Sequence, residues 1–426
     1  MASAISTLRQ SFSPLQHVNF RIYLGGQAIS LIGTWLQNAA QAWVVWTLTG
    51  SEAALGTVTA FGTLPLLLLG PFAGVWVDRF DRRKLLIVTQ AVAMVLAFVL
   101  AFLVQSNTVQ VWHVYGLSLL LGIVTALDLP AQQTFLGDLA GMDEVRKAIN
   151  LNAMIINVSR TLGPAVSGIL VARIGIAPAF WLNGLSFIAV IASLIAVRAR
   201  QVQAKASAAN PLRQLLDAML FVRTQPRMQD MFLFALMTTF FVFSVVLTQL
   251  PAFASVVLHG DAETAGYLQA ASGAGSLMGV LFVVPLAQAQ KRSGLVLTTA
   301  AVWMGLWMMG FAFSAWLPLS MVTLFFASIG APTIITLALG LTQLMSPPNM
   351  RGRLISLFTM LTFGLQPLSA YLIGQSAEQL GVQNAIQINA VLLIVGALAM
   401  LLLRGDLRRW EVVNPQPNVT QGELVH

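Results

Sequence analysis

The chain has 426 residues, of which 57% are hydrophobic and only 9% charged, with a mean hydropathy of +0.79. Soluble domains carry about 25% charged residues, so this composition excludes an ordinary soluble globule and reads as an all-α, multi-pass membrane protein. The net charge of +8 does not indicate nucleic-acid binding, because the basic residues are spread over short turns instead of gathered in a patch or arm, and the lack of cysteine excludes disulfides and thiolate metal sites.

Residues 1–18 are polar, and the apolar stretch that starts near Ile22 outruns a signal-peptide core, so the first helix is expected to stay in the mature protein. Apolar runs set against polar breaks predict twelve transmembrane spans, at roughly 20–47, 53–77, 85–105, 110–139, 145–173, 177–198, 228–258, 264–289, 294–314, 317–345, 351–378 and 383–404. With this topology every Lys and Arg except Arg160 and Arg173 falls on one face, which the positive-inside rule makes cytoplasmic, with both termini inside. The one long break divides the chain into an N-terminal six-helix bundle (1–200), a cytoplasmic linker (201–227), a C-terminal six-helix bundle (228–404) and a cytoplasmic tail (405–426). Within the linker, Asn210-Pro211 reads as a helix start, and Leu212, Leu215, Leu216, Met219 and Leu220 follow at helical spacing, as in a helix lying on the inner leaflet.

The two halves echo one another. Gly56 and Arg82 match Gly266 and Arg292 at an offset of 210 residues, with a GxxxG step in each segment at Gly70/Gly74 and Gly275/Gly279. Arg173-Ile174-Gly175 with Asn183 matches Gln379-Leu380-Gly381 with Asn389 at an offset of 206. Two pseudo-symmetric six-helix halves are a known design of secondary transporters.

Ionisable groups inside spans are costly and ask for a partner or a purpose. Asp128 in span four and Arg160 in span five are the deepest, and a hairpin turning near Gly141 to Asp143 brings them within a helical turn of each other. They are either a structural ion pair or a coupling pair for proton or substrate. Span one carries Gln27, Ser30, Thr34, Asn38 and Gln41 at steps of three and four, a single polar stripe that lines an aqueous cavity or bonds to neighbouring helices. Shorter stripes are Gln269, Ser272 and Ser276 in span eight, and Thr359, Thr362, Gln366 and Ser369 in span eleven. No lysine follows a glycine as a nucleotide-binding P-loop requires, and the four histidines are scattered, so neither an enzyme, a metal site nor a cofactor is indicated.

The turn Gly74-x-x-x-Asp78-Arg79-x-Asp81-Arg82-Arg83 resembles the motif between the second and third helices of the major facilitator superfamily, with Asp81 where that motif has glycine. Further stretches are similar to the bacterial exporters that include the enterobactin exporter and macrolide efflux proteins. They are Gly26 to Trp35, Asp78 to Arg83, Asp128-Leu129-Pro130-Ala131, Arg160-Thr161-Leu162-Gly163-Pro164 and Arg351-Gly352-Arg353. The resemblance implies a rocker-switch exporter. It implies that Asp78 caps the start of helix eleven near Arg351 to Leu354, and that Arg82 pairs with an acid on helix four, for which Asp128 is the deep choice. Gly163-Pro164 with Gly168 matches the helix-five antiporter motif only in part.

The expectation is a secondary active exporter in the bacterial cytoplasmic membrane, working as a monomer. It would move an amphiphilic small molecule, a siderophore or a drug, in exchange for protons and in contact with membrane lipid. A lysophospholipid or lipid transporter, or a non-transporting receptor of the same fold, is the alternative.

Overall fold

The alternation of apolar runs and charged turns is realised as a chain of helices. The structure, a computed structural model, describes residues 13–77, 79–141, 144–197, 211–290, 292–347, 350–404 and 407. Six helices precede the break: α1 (Val18–Thr49), α2 (Glu52–Val77), α3 (Arg82–Gln105), α4 (Val111–Ala140), α5 (Val145–Ile174) and α6 (Ala177–Ala196). After the amphipathic linker helix Pro211–Thr224 come α7 (Pro226–Thr248, continued by Leu250–Ala252 and Phe253–Val257) and α8 (Ala262–Gln288). The last four are α9 (Ser293–Phe313), α10 (Leu317–Met345), α11 (Arg351–Leu380) and α12 (Val382–Leu403).

Among the described residues, ten of these twelve helices are long and apolar enough to cross a membrane by length and composition. Of the other two, α1 is 32 residues long and diluted by polar residues from Gln27 to Gln41, and α5 is 30 residues long, with polar residues from Asn152 to Ser167 and several side chains outside the described residues. A helix can carry such residues in a bilayer only where they face protein or water, which places α1 and α5 on the inside of the bundle.

Packing follows the internal repeat. Within the first half α2 lies on α4 and α3 on α6; within the second α8 lies on α10 and α9 on α12. Across the halves α2 meets α11, and α8 meets α5. Both crossings are glycine to glycine. A side chain built on Gly56 would lie 3.0 Å from the Cα of Gly374, and one on Gly168 would lie 2.8 Å from the Cα of Gly266. Gly56/Gly266 and Gly168/Gly374 are related by the two repeat offsets read from the sequence, so the repeat is expressed as a matched pair of close crossings. The GxxxG expectation holds in α8, where Gly275 and Gly279 sit against the Phe325 and Ile329 carbonyls of α10; in the first half the α2–α4 approach instead places Gly122 over the Gly62 carbonyl.

Both crossings lie at the end of the bundle away from the basic turns. The apolar core there is continuous across the halves, joining Val44, Leu55, Val58 and Phe180 to Phe253, Phe311 and Ile373. At the basic end the first half keeps a separate core of its own, with Phe20, Tyr23, Leu86, Phe135 and Leu194. The molecule is therefore sealed at the sparsely charged end.

Candidate functional site

The basic end is built by the turn from α2 to α3. Asp81 is the N-cap of α3, its carboxylate accepting from the Lys84 N–H at 3.1 Å. This gives the departure from the resembled motif a physical reason, since a glycine there would leave the first turn of α3 uncapped. Arg79 is exposed, Asp78 lies outside the described residues, and Gly74 falls within α2. Arg83 donates from Nε to the Leu194 carbonyl and from Nη2 to the Ile195 carbonyl, both at 2.5 Å, placing a cation on the C-terminal end of α6.

Arg82 is buried and pairs with Asp138 of α4, Nη1 to Oδ1 at 3.1 Å and to Oδ2 at 3.0 Å, with side-chain exposures of 7% and 5%. This corrects the expected pairing with Asp128: the acid on helix four is Asp138. Facing residues of an antiparallel pair have a constant index sum, and α3 and α4 turn over near residues 106–110, so Arg82 opposes about residue 134, and Asp138 is the acid within one helical turn of it. That rule was available from the sequence and, applied to this hairpin, finds Asp138. Asp138 stands at the edge of its span, where an acid reads as part of the turn, so hydropathy alone points to the more deeply set Asp128.

The same register sets Asp128 against Thr89 and Gln90. Asp128 is buried, and its Oδ1 lies 2.6 Å from the Thr89 hydroxyl; Gln90 Nε2 donates to Oδ1 at 3.0 Å and to Oδ2 at 3.1 Å. Gln132, one helical turn along α4, donates to Oδ2, and Gln27 of α1 donates to Gln132 Oε1 at 3.1 Å. Tyr23, a turn before Gln27, is buried edge-on against Phe135 with ring centroids 5.4 Å apart. Three helices thus converge on one carboxyl group through neutral side chains. The side chain of Arg160, its expected partner from α5, lies outside the described residues.

The stripe on α1 divides. Gln27 and Ser30 are buried, Thr34 and Gln41 half-buried, and Asn38 exposed although it lies on the opposite side of α1 from the exposed Ile22 and Ile29. Gln41 donates to Ser118 of α4 at 3.0 Å, and Gln37, just off the stripe, accepts from Asn183 of α6 at 2.8 Å.

In the second half Ser272 and Ser276 bond from α8 to Ser328 of α10, and other polar residues sit where helices are broken. α11 is interrupted at Leu365, just before Gln366 and Pro367, and α7 has a wide turn of π type at Thr239–Phe243. The two irregularities meet: Ser369 donates to the Phe240 carbonyl at 2.5 Å. Gln366 is buried beside this join, and the Thr238 and Thr239 hydroxyls are buried with no hydrogen-bond partner among the described residues. At the basic end Arg353 of α11 pairs with Asp217 of the linker helix at 3.2 Å, and Arg404 after α12 pairs with Asp230 of α7 at 2.9 Å.

The sequence profile of the family described as transmembrane secretion effectors matches residues 9–425. Macrolide efflux protein A of Streptococcus pyogenes is 24% identical over 93% of this chain and 98% of its own. The enterobactin exporter EntS of Citrobacter koseri is 25% identical over 94% and 95%, and the staphyloferrin A transporter of Staphylococcus aureus is 26% identical over 65% and 68%. Among solved structures, a bacterial homolog of the human lysosomal transporter Spinster superposes with a TM-score of 0.72 at 13% identity, covering 93% of this chain and 97% of that one. The nucleoside transporter NupG superposes with a TM-score of 0.69 at 14% identity, covering 91% and 98%. A two-bundle helical fold with a buried carboxyl nest, a sealed end opposite its basic turns and a family match over nearly its whole length make this chain a member of the transmembrane secretion effectors, within the major facilitator superfamily of membrane transporters.

Proposed function

We propose that this transporter exports an amphiphilic small molecule, of the siderophore or drug class, across the bacterial cytoplasmic membrane in exchange for protons. The halves 1–200 and 228–404 rock about a substrate held between them, the linker 201–227 joins them, and the tail 405–426 stays with both termini in the cytoplasm. The positive-inside rule supports this orientation, and the sealed end is then the outer one and the state inward-facing. Siderophore and macrolide export by relatives that match most of the chain supports the substrate class.

The observation that carries the reading is Asp128: a buried carboxyl held by neutral donors from α1, α3 and α4, two helices of which also carry the Arg82–Asp138 pair. A carboxyl in that setting can exist with or without a proton at modest rearrangement, which a coupling group needs. Asp78, Arg79, Arg82 and Arg83 form the gate at the cytoplasmic end, with Gly74 letting the turn approach its neighbours. Asn38, Thr34 and Gln41, with Gln27, Ser30 and Gln366 deeper in, line the route when the halves move apart, and Arg160 completes the coupling region. The protein works as a monomer in direct contact with lipid.

The test is Asp128→Asn in everted vesicles. Efflux driven by a proton gradient is expected to be abolished while substrate binding to the purified protein is retained. Driven efflux at the wild-type rate would remove Asp128 from coupling.

A further inference from the structure

Thr89 has one hydroxyl hydrogen and two acceptors within reach: the Leu86 carbonyl at 3.0 Å and Asp128 Oδ1 at 2.6 Å. A hydroxyl supplies one donor and two lone pairs. Both contacts are filled together when Asp128 carries a proton on Oδ1, gives it to Thr89 Oγ1, and Thr89 gives its own to the Leu86 carbonyl. The remaining hydrogens fit this arrangement: Gln132 donates to Oδ2, Gln90 Nε2, 3.0 Å from Oδ1 and 3.1 Å from Oδ2, gives its hydrogen to the unprotonated oxygen, and Gln27 donates to Gln132.

We infer that Asp128 is a neutral carboxylic acid in this conformation and that the Thr89 hydroxyl is its proton-state switch. The charged and titratable surroundings agree. Among the described residues the titratable neighbour from α1 is Tyr23, and α3 and α4 otherwise present Thr89, Gln90 and Gln132, all neutral. Arg82 is committed to Asp138, ten residues or about 15 Å further along α4. An ionised carboxylate buried among neutral groups is expensive, whereas the acid is not. When the proton leaves, Thr89 turns its hydrogen from the Leu86 carbonyl to Oδ1. The carbonyl keeps its helical partner, so the carboxylate gains a donor and no backbone group is stranded. Thr89 is thus a positioning residue that serves the acid as acceptor and the carboxylate as donor. Arg160 of α5, the cation of the coupling region, is assigned to the deprotonated state: within reach of Asp128 it would hold a carboxylate, which shows no acid band.

This deepens the proton-coupled reading and rests on it, and infrared spectroscopy separates the two. Protein reconstituted in lipid at neutral pH and grown with isotope-labelled aspartate should show a carboxylic-acid carbonyl band that moves with the label and is missing in Asp128→Asn. Thr89→Ser should keep the band in place, and Thr89→Val should move it to higher frequency, because the acid loses the acceptor of its proton. Absence of the labelled acid band in the wild-type protein overturns the inference, whatever the variants do. A band unmoved by Thr89→Val overturns the role of Thr89. If the band behaves as expected but Asp128→Asn still exports at the wild-type rate under a proton gradient, the protonation state stands and proton coupling through Asp128 fails.

Discussion

The Arg82–Asp138 pair is the most buried ion pair among the described residues, and burial decides what its loss does. Removing one partner of a buried pair strands the other charge and costs about 3–5 kcal/mol. Asp138→Asn and Arg82→Ala should therefore each lower the unfolding temperature of the detergent-solubilised protein clearly, while the double exchange Arg82→Asp with Asp138→Arg recovers much of it; no recovery would show that the two do not act as a pair. Glu144, in the turn before α5, gives a pH signature. The Ser13 hydroxyl, then Lys147 and His17, hold its carboxyl below the usual glutamate range. A lowered value means that the tie between the N-terminal segment and α5 is complete above the ordinary glutamate range and is lost as pH falls through the lowered one. The protection against hydrogen exchange over residues 13–20, relative to the intrinsic rate at each pH, should fall on acidification in the wild-type protein and be low at every pH in Glu144→Ala. At this scale the sequence was partly legible. Asp128 and the polar stripe stood out because polar residues in apolar helices are conspicuous, but Asp128's partners are uncharged and carry no such contrast. The acid paired with Arg82 was recoverable only from register.

The helices themselves were readable because length and hydropathy decide them, and the charged turns between them mark their ends. The repeat was readable too, through glycines whose spacing now has a cause: α2 and α11, and α5 and α8, cross with backbone touching backbone. A larger residue at such a crossing overpacks it, at a cost of about 1–3 kcal/mol that falls on the sealed state alone. Gly374→Leu or Gly168→Leu should shift the equilibrium away from the sealed state. With no native cysteine in the chain, a spin-label pair introduced by Ser51→Cys and Glu378→Cys reads the change directly. These two positions are joined in the sealed state by a hydrogen bond of 2.9 Å from the Ser51 hydroxyl to Glu378. The label distance should lengthen in the glycine variants and stay short without them. The breaks in α7 and α11 were not legible. Pro367 hints at one, but the wide turn at Thr239–Phe243 exists because Ser369 from another helix satisfies the Phe240 carbonyl, a contact that no local pattern announces.

Over the whole molecule the two halves share a plan and differ in chemistry. The first half holds the buried Asp128 nest and the Arg82–Asp138 pair; the second sets uncharged Thr, Ser and Gln at the joins of α7 and α11, and its buried acid, Asp230, is paired with Arg404. Such a division suits a transporter in which one half senses protons and the other adapts to substrate, and it explains why fold and class follow from the sequence while the cargo does not. The cavity surface is made by side chains from both halves converging, and its shape depends on packing over long sequence distances. The most direct measurement of proton-driven export is proton flux in everted vesicles containing this protein, recorded as a catecholate siderophore, a macrolide and a lysophospholipid are added in turn. Protons should move out of the vesicle lumen, coupled to uptake, with the siderophore or the macrolide, and not in Asp128→Asn vesicles. Uptake of one of these compounds with no accompanying proton movement would contradict proton-driven export.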